Sequence, residues 1–265
     1  MRDCSSLRTL AALLAFTAPA LAQSTPPACP GITPSTKPRP TAQQIRSIAE
    51  ADAADPTIIL AHEPLENFGA IRYRIADYAD CTGGGGCYWA DLDAQYTRAQ
   101  AALKLALESH KPAGRPALVL DIDETTLSSY CEMQKEDYGY VKPMFESWIV
   151  SPAASIPIPG TLRLYKQARA AGVAVFFITG RPDEQRTATA TNLKTAGFDS
   201  WAGLSLRVAA QKTMSASEYK SQERQKILDA GYTIVMNVGD QWSDLDGTAR
   251  AAINVKLPNP FYYLP

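Results

Sequence analysis

Acidic side chains that could do chemistry cluster at two places in this sequence. Asp121 and Asp123 stand in the run Asp121-Ile122-Asp123-Glu124-Thr125-Thr126, and Asp240 and Asp244 in Gly239-Asp240-Gln241-Trp242-Ser243-Asp244. Thr179-Gly180-Arg181 and Lys220 fall between them. Brought together, these acids repel one another unless a cation intervenes or protons are taken up. Every candidate ligand is a hard oxygen with no His or Cys beside it, which selects Mg2+ over zinc or copper. Magnesium takes one or two protein carboxylates and leaves positions for a phosphate, whose other oxygens Lys220 and the Thr179 hydroxyl would hold. An ionised carboxylate such as Asp121, aimed at a phosphorus neutralised in this way, attacks it to form an aspartyl-phosphate that water then hydrolyses. Asp123 is placed to protonate the departing alcohol and later to activate the water. Phosphate monoesters hydrolyse so slowly unaided that accelerations reach about 10²¹-fold. Positioning and charge stabilisation must therefore both be large.

The elements that would carry these residues are readable from periodicity. After His110, short β-rich apolar runs alternate with helical segments that end in glycine, which predicts a mostly parallel sheet covered on both faces. Strands are expected from Ala117 to Leu120, Val173 to Ile178, Leu204 to Val208, Thr233 to Val238 and Ala252 to Lys256. Helices are expected from Thr161 to Ala171 and Pro182 to Ala196, with Gly172 and Gly197 as left-handed stops. A third, from Ala216 to Ala230, opens on the capping-box pattern Ser215-Ala216-Ser217-Glu218 and closes at Gly231. Lys220 then sits in the first turn of this helix. In an open parallel sheet, reactive groups gather just beyond the carboxyl ends of the strands. Asp121, Thr179 and Asp240 each follow an apolar strand directly.

Upstream, Thr41 to about His110 reads as an α-helical layer, best seen from Ala90 to Ser109, where Leu92, Tyr96, Ala99, Leu103 and Leu107 recur at helical spacing. His62 and His110 lack ligand-spaced partners and read as structural, so zinc has no support. Residues 23–40, rich in Pro, Thr and Ser, read as a linker. Residues 1–22 read as a secretory signal: Arg2 and Arg8 precede the apolar run Leu10 to Phe16, and Ala20-Leu21-Ala22 offers a cleavage site. The expectation is a secreted or periplasmic protein without a lipid anchor.

Export makes the cysteines disulfide candidates. Loss of Cys4 with the signal leaves Cys29, Cys81, Cys87 and Cys131, which permit three pairings. Cys81 with Cys87 is favoured because Thr82 and four glycines close a short flexible loop, and Cys29 with Cys131 follows by elimination. The glycine run is no phosphate loop, since neither a preceding strand nor a following Lys-Ser or Lys-Thr accompanies it.

Composition narrows the function classes. Among 265 residues, 46% are hydrophobic and 20% charged, a globular balance. Lys plus Arg is 26 against 27 for Asp plus Glu, giving a net charge of -1 and no basic stripe for a nucleic-acid polymer. No apolar run reaches the roughly 20 residues of a membrane span.

The four elements Asp121 to Thr126, Ile178-Thr179-Gly180-Arg181, Lys220 and Gly239 to Asp244 resemble the motifs of the haloacid dehalogenase (HAD) superfamily. Tyr219-Lys220-Ser221, the run through Leu245 and the tail Leu257-Pro258-Asn259-Pro260-Phe261-Tyr262-Tyr263 resemble its exported class B-type acid phosphatases, a group with plant storage and bacterial surface relatives. The resemblance implies an α/β fold: a Rossmann-like doubly wound parallel sheet over residues 111–265, with a cap insertion at about 127–160 and an N-terminal helical layer at 41–110. It implies Asp121 as nucleophile, and Asp123 as general acid and base that also gives its backbone carbonyl to the metal. Asp240 becomes the second carboxylate ligand, Asp244 holds a metal-bound water or orients Lys220, and Thr179 with the Gly180 backbone binds phosphate. Its implied substrate is a small-molecule phosphomonoester.

The cap holds Tyr130, Tyr138, Tyr140, Phe145 and Trp148. Trp148, and Tyr262 in the tail, are candidates to stack on a base or aryl leaving group, against the plainer reading that such aromatics form a small core. Arg181 is expected either to assist the phosphate or to pair with surface acids. Two other readings stay open: one of another class, a phospho-ligand-binding or storage protein on the same fold, and, behind it, a dehalogenase.

Overall fold

The computed structural model describes residues 25–30, 39–40, 44, 64–82, 86–109 and 113–264. The expected signal at 1–22, most of the linker at 23–40, the first part of the helical layer, His62 and His110 lie outside the described residues.

Five parallel strands form the sheet: β1 (Arg115–Leu120), β2 (Ala174–Pro182), β3 (Gly203–Arg207), β4 (Tyr232–Gly239) and β5 (Ile253–Lys256), in the order β3-β2-β1-β4-β5. The strand order reverses on either side of β1, so the crevice at its carboxyl end is the topological switch point where such sheets bind ligands. Side-chain alternation divides β1 between two cores. Leu118 and Leu120 face one layer with Val175, Phe177, Met236 and Val238, while Ala117 and Val119 face the other with Ile178 and Ile234.

Eight helices cover the sheet among the described residues: α1 (Phe68–Asp80), α2 (Tyr88–Ser109), α3 (Tyr130–Lys135), α4 (Lys142–Ile149), α5 (Pro159–Ala170), α6 (Arg186–Thr195), α7 (Ala216–Asp229) and α8 (Trp242–Leu245). Leu92, Tyr96 and Leu103 of α2 and Leu164 and Ala168 of α5 fill the first core; Tyr219 and Ile227 of α7 fill the second. A Cβ on Gly160 would lie 2.3 Å from the Tyr96 ring, so only glycine lets α5 approach α2 this closely. That approach serves the site: the Tyr96 hydroxyl donates to the Thr125 carbonyl (2.8 Å), and the Thr161 hydroxyl donates to Tyr96 (2.5 Å).

Most boundaries match the sequence expectations, including positive φ at Gly172, Gly197 and Gly231 and the Ser215–Glu218 capping box. The helix expected from Pro182 begins only at Arg186, after a 3-10 turn over Asp183–Gln185. β2 instead runs on through Pro182, which pairs with Arg207. A residue before proline is pushed out of the α region, and this keeps Arg181 extended. Lys220 is the fifth residue of α7, one step beyond its expected first turn.

α3 and α4 lie between β1 and α5, where the cap insertion was expected. Both disulfides pair as expected. Cys81, a left-handed cap at φ 57°, joins Cys87 across the α1–α2 turn, and Cys29 joins Cys131 of α3. The cap aromatics separate into two groups. Tyr130 and Tyr138 are core: Tyr130 packs edge-on against Trp89, Tyr138 stacks on Phe261, and both hydroxyls donate to Asp80. Tyr140, Phe145 and Trp148 form a chain of tilted contacts with centroids 5.2 and 5.5 Å apart, Tyr140 being exposed and the other two half-buried. Among the described residues, no helix is long and apolar enough to cross a membrane.

Candidate active site

The turn after β1 sets the nucleophile. The Asp121 amide donates to Val238 of β4, continuing the ladder, and the chain then folds so that the amides of Thr126 and Leu127 both donate to the Ile122 carbonyl. This turn puts Glu124 at φ 54°, a left-handed conformation disfavoured for a side-chain-bearing residue. Glu124 is held there by its own buried carboxylate, which accepts from the Ser129 hydroxyl (2.6 Å) and amide and from the Tyr88 hydroxyl (3.0 Å). Burial pushes this carboxyl up to about 7, against the Ser129 hydrogen bonds.

At the carboxyl ends of β1 and β4, Asp121, Asp240 and Asp244 are all buried, with carboxylate oxygens within 4.8 Å of one another. Lys220 reaches in from α7 and donates to Asp121 Oδ1 (2.5 Å) and to Asp244 Oδ1. Asp244 also accepts from the Gln241 amide through Oδ2 (2.7 Å). Its close return depends on Gly239, where a Cβ would stand 2.2 Å from that of Asp244. Asp240 is steadied by neutral donors: Thr125 on Oδ1 (3.1 Å), and Gln241 (2.6 Å) and Asn259 (2.7 Å) on Oδ2. Asp121 Oδ2 accepts no hydrogen bond from the described residues.

One ammonium among three acids makes the electrostatics lopsided. Burial opposes the charge on Lys220, but Asp121 and Asp244 outweigh it and hold the ammonium above its ordinary value. The acids each receive only part of that charge. Asp121 is raised well above the usual carboxylate range by burial, which Lys220 opposes and Asp244, Asp240 and Asp123 reinforce. Asp240 is pushed up to about 6, by burial and then by Asp244. A buried all-oxygen donor set with excess negative charge fits a hard divalent cation. Asp244 is already committed to Lys220 and the Gln241 amide, which leaves Asp121 and Asp240 as the carboxylates able to hold it.

The other expected residues divide between the crevice and elsewhere. Thr179, at the end of β2, is buried, with its hydroxyl 3.5 Å from Asp123 Oδ2, and Gly180 beside it is exposed. The Asp123 side chain faces Arg181 rather than the three clustered acids. Among the described residues Arg181 therefore pairs with no surface acid; it is buried against Asp123. Tyr262 brings its phenol to the crevice, where burial and then Asp240, Asp123, Glu124 and Asp121 raise it well above its usual value. Trp148 contacts Phe145 in the cap, and the two disulfides stand in the α1–α2 turn and on α3.

Sequence reasoning passed over Arg224. Its guanidinium is fully buried and donates to the carbonyls of Ala249 (2.6 Å), Asp244 and Asp246. Four residues after Lys220, it lies on the same face of α7, so one helix grips Asp244 by side chain and backbone together. That spacing was the available signal. Asn259 and Tyr88 carried none, because their partners lie far away in the chain.

The family model "HAD superfamily, subfamily IIIB (Acid phosphatase)" matches residues 42–265. Acid phosphatase 1 of Solanum lycopersicum is 37% identical over 154 residues, covering 57% of this chain and 60% of that protein. Vegetative storage protein 1 of Arabidopsis thaliana is 35% identical over 150 residues, covering 56% and 55%. The chain thus spans 52–61% of the length of the curated relatives it matches. The tungstate-bound class C acid phosphatase from Bacillus anthracis shares the fold, with a TM-score of 0.58 and 22% identity over 74% of this chain and 86% of that one.

Proposed function

From the premise that the chain belongs to the subfamily IIIB acid phosphatases of the HAD superfamily, we propose that it is an exported, magnesium-dependent phosphatase of small phosphomonoesters, nucleoside monophosphates among them. The observation that carries this reading is Asp121 itself. One of its oxygens is fixed by Lys220 and the other accepts no hydrogen bond from the described residues, at the switch point of the sheet, beside a second carboxylate, Asp240, that forms no ion pair with a described Lys or Arg.

Asp121 Oδ2 attacks phosphorus as the bond to the leaving oxygen breaks. Asp123 gives its proton to that oxygen, then takes one from the water that cleaves the aspartyl-phosphate. Lys220, with the Thr179 hydroxyl and the Gly180 amide, holds the equatorial oxygens where charge develops. Asp244 and Arg224 keep Lys220 in place. Asp121, Asp240 and the Asp123 carbonyl would hold magnesium, which supplies charge neutralisation at the phosphoryl group when bound. Trp148 and Tyr262 are the residues proposed to stack on the leaving group, Tyr262 from within the crevice. The disulfides and the N-terminal address support export to the periplasm or cell exterior.

The storage relatives favour a second reading, a phospho-ligand-binding or storage protein without turnover. Against it, every position of the proposed machinery holds a competent side chain. Hydrolysis of p-nitrophenyl phosphate with magnesium, beside Asp121→Asn, separates the two. Loss on the order of 10⁴-fold or more in the variant is expected. Equal rates, or an inactive wild type, would reject the phosphatase.

A further inference from the structure

Arg181 occupies a place that the aspartate chemistry alone does not explain. It is 5% exposed, at the end of β2 two residues after Thr179, and all three guanidinium nitrogens are engaged. Nε lies 3.1 Å from both oxygens of Asp123, Nη2 lies 2.6 Å from Oδ1, and Nη1 donates to the Thr189 hydroxyl of α6 at 3.2 Å. The Arg181 amide donates to the Thr179 hydroxyl (3.2 Å), tying the same backbone to the phosphate-binding residue.

Such a planar fork fixes a carboxylate in direction as well as distance, which a lysine's point charge does not do. Asp123 needs this more than its neighbours. Its side chain is 24% exposed, and beyond Arg181 the long contact with Thr179 is the one other restraint on it among the described residues. Arg181 is also spoken for: reaching a substrate phosphate would break the contacts to Asp123 and Thr189. Lys220, by contrast, already stands between the acids of the crevice.

We propose that Arg181 is a positioning residue that acts through Asp123, holding its carboxylate where it can exchange a proton with the leaving oxygen and then with water. The proposal rests on the phosphatase reading and deepens it. In the first half-reaction, the bond from Asp121 to phosphorus forms, the bond to the leaving oxygen breaks, and the Asp123 proton goes to that oxygen. In the second, a water oxygen bonds to phosphorus, its proton goes to Asp123, and the Asp121–phosphorus bond breaks. Misplacing the carrier by about 1 Å is enough to cost around 10²-fold.

Leaving-group dependence provides the test. Nitrophenolate departs without a proton, whereas an alkoxide needs one, so a residue acting through the general acid matters mainly for alkyl phosphates. With magnesium-loaded protein, Arg181→Met should lower kcat/KM for glycerol phosphate about 10- to 100-fold more than for p-nitrophenyl phosphate, within the range of a general acid's contribution. Arg181→Lys should recover part of the loss. In an Asp123→Asn background, Arg181→Met should cost less than about twofold more, since residues acting as one unit are not additive. Equal losses on both substrates, or an additive loss in that background, would overturn the proposal and make Arg181 a phosphate ligand or a structural residue. If Arg181→Met fails to fold, Arg181→Lys and Thr189→Val carry the same comparison. An inactive wild type would instead sink the phosphatase reading itself, a result distinct from active wild type with additive variants.

Discussion

Asp80 and Asp121 are both carboxylates withdrawn from water, yet their surroundings treat them in opposite ways. Asp80, at the end of α1, collects the hydroxyls of Tyr130 (2.6 Å) and Tyr138 (2.7 Å), the Gln134 amide (3.2 Å) and the Arg39 guanidinium (2.5 Å). One acid there has several donors and a cation, and it ties the helical layer to the cap. At Asp121 the ratio is inverted, because three acids share one ammonium. A carboxylate whose donors satisfy it holds structure; carboxylates left short of positive charge mark a place prepared for a cation and an anionic substrate.

Removing Lys220 presses hardest on this contrast. Lys220→Met is expected to lower kcat by about 10²–10³-fold through lost charge stabilisation. It should also destabilise the metal-free protein by about 3–5 kcal/mol, the usual cost of leaving a buried charge unpaired. Rates on p-nitrophenyl phosphate and urea melts in EDTA would show both. Unchanged stability would mean that the acids do not depend on the ammonium.

A smaller effect is expected from protons and metal. Asp240, at about 6, and Glu124, at about 7, bind protons more tightly folded than unfolded. In EDTA, stability should therefore rise as pH falls from about 8 through these values and level off near the unfolded carboxylate range, a gain of up to about 3 kcal/mol from each group. Magnesium should replace most of this proton-linked gain at neutral pH, and should do so far less in Asp240→Asn. Thermal melts across pH, with and without magnesium, check the sign; stability that falls on acidification over this range would contradict it.

The least effect should come from the satisfied partner. Asp80→Asn keeps an acceptor for the tyrosines and gives up the ion pair with Arg39, at a cost of about 1 kcal/mol. Turnover per folded molecule should be unchanged. A fall in kcat comparable to that of Lys220→Met would erase the distinction between the two sites.

Legibility followed the range of the interaction. Strand and helix identities came through because the short apolar runs of β1 and β4 and the glycine stops are local signals, as is the Ser215–Glu218 capping box. The start of α6 was misjudged because Arg181 is held extended both by Pro182 and by a partner 58 positions away. Arg181 offered two equal readings in sequence, and the fold pairs it with Asp123 rather than with a surface acid. The cap aromatics likewise separated only when Asp80 and Phe261 arrived from distant parts of the chain.

By itself, the sequence determined which chemistry was available: oxygen ligands without nitrogen or sulfur, an acid two residues beyond another, and apolar strands delivering each to the same sheet edge. Tertiary structure alone decided how charge is shared, with Lys220 between Asp121 and Asp244, Arg181 on Asp123 and Arg224 on the returning backbone. The reason is physical. Side-chain type and local spacing are properties of neighbouring residues, whereas the energy of a buried charge depends on every group within a few ångströms, most of which the chain brings from far away.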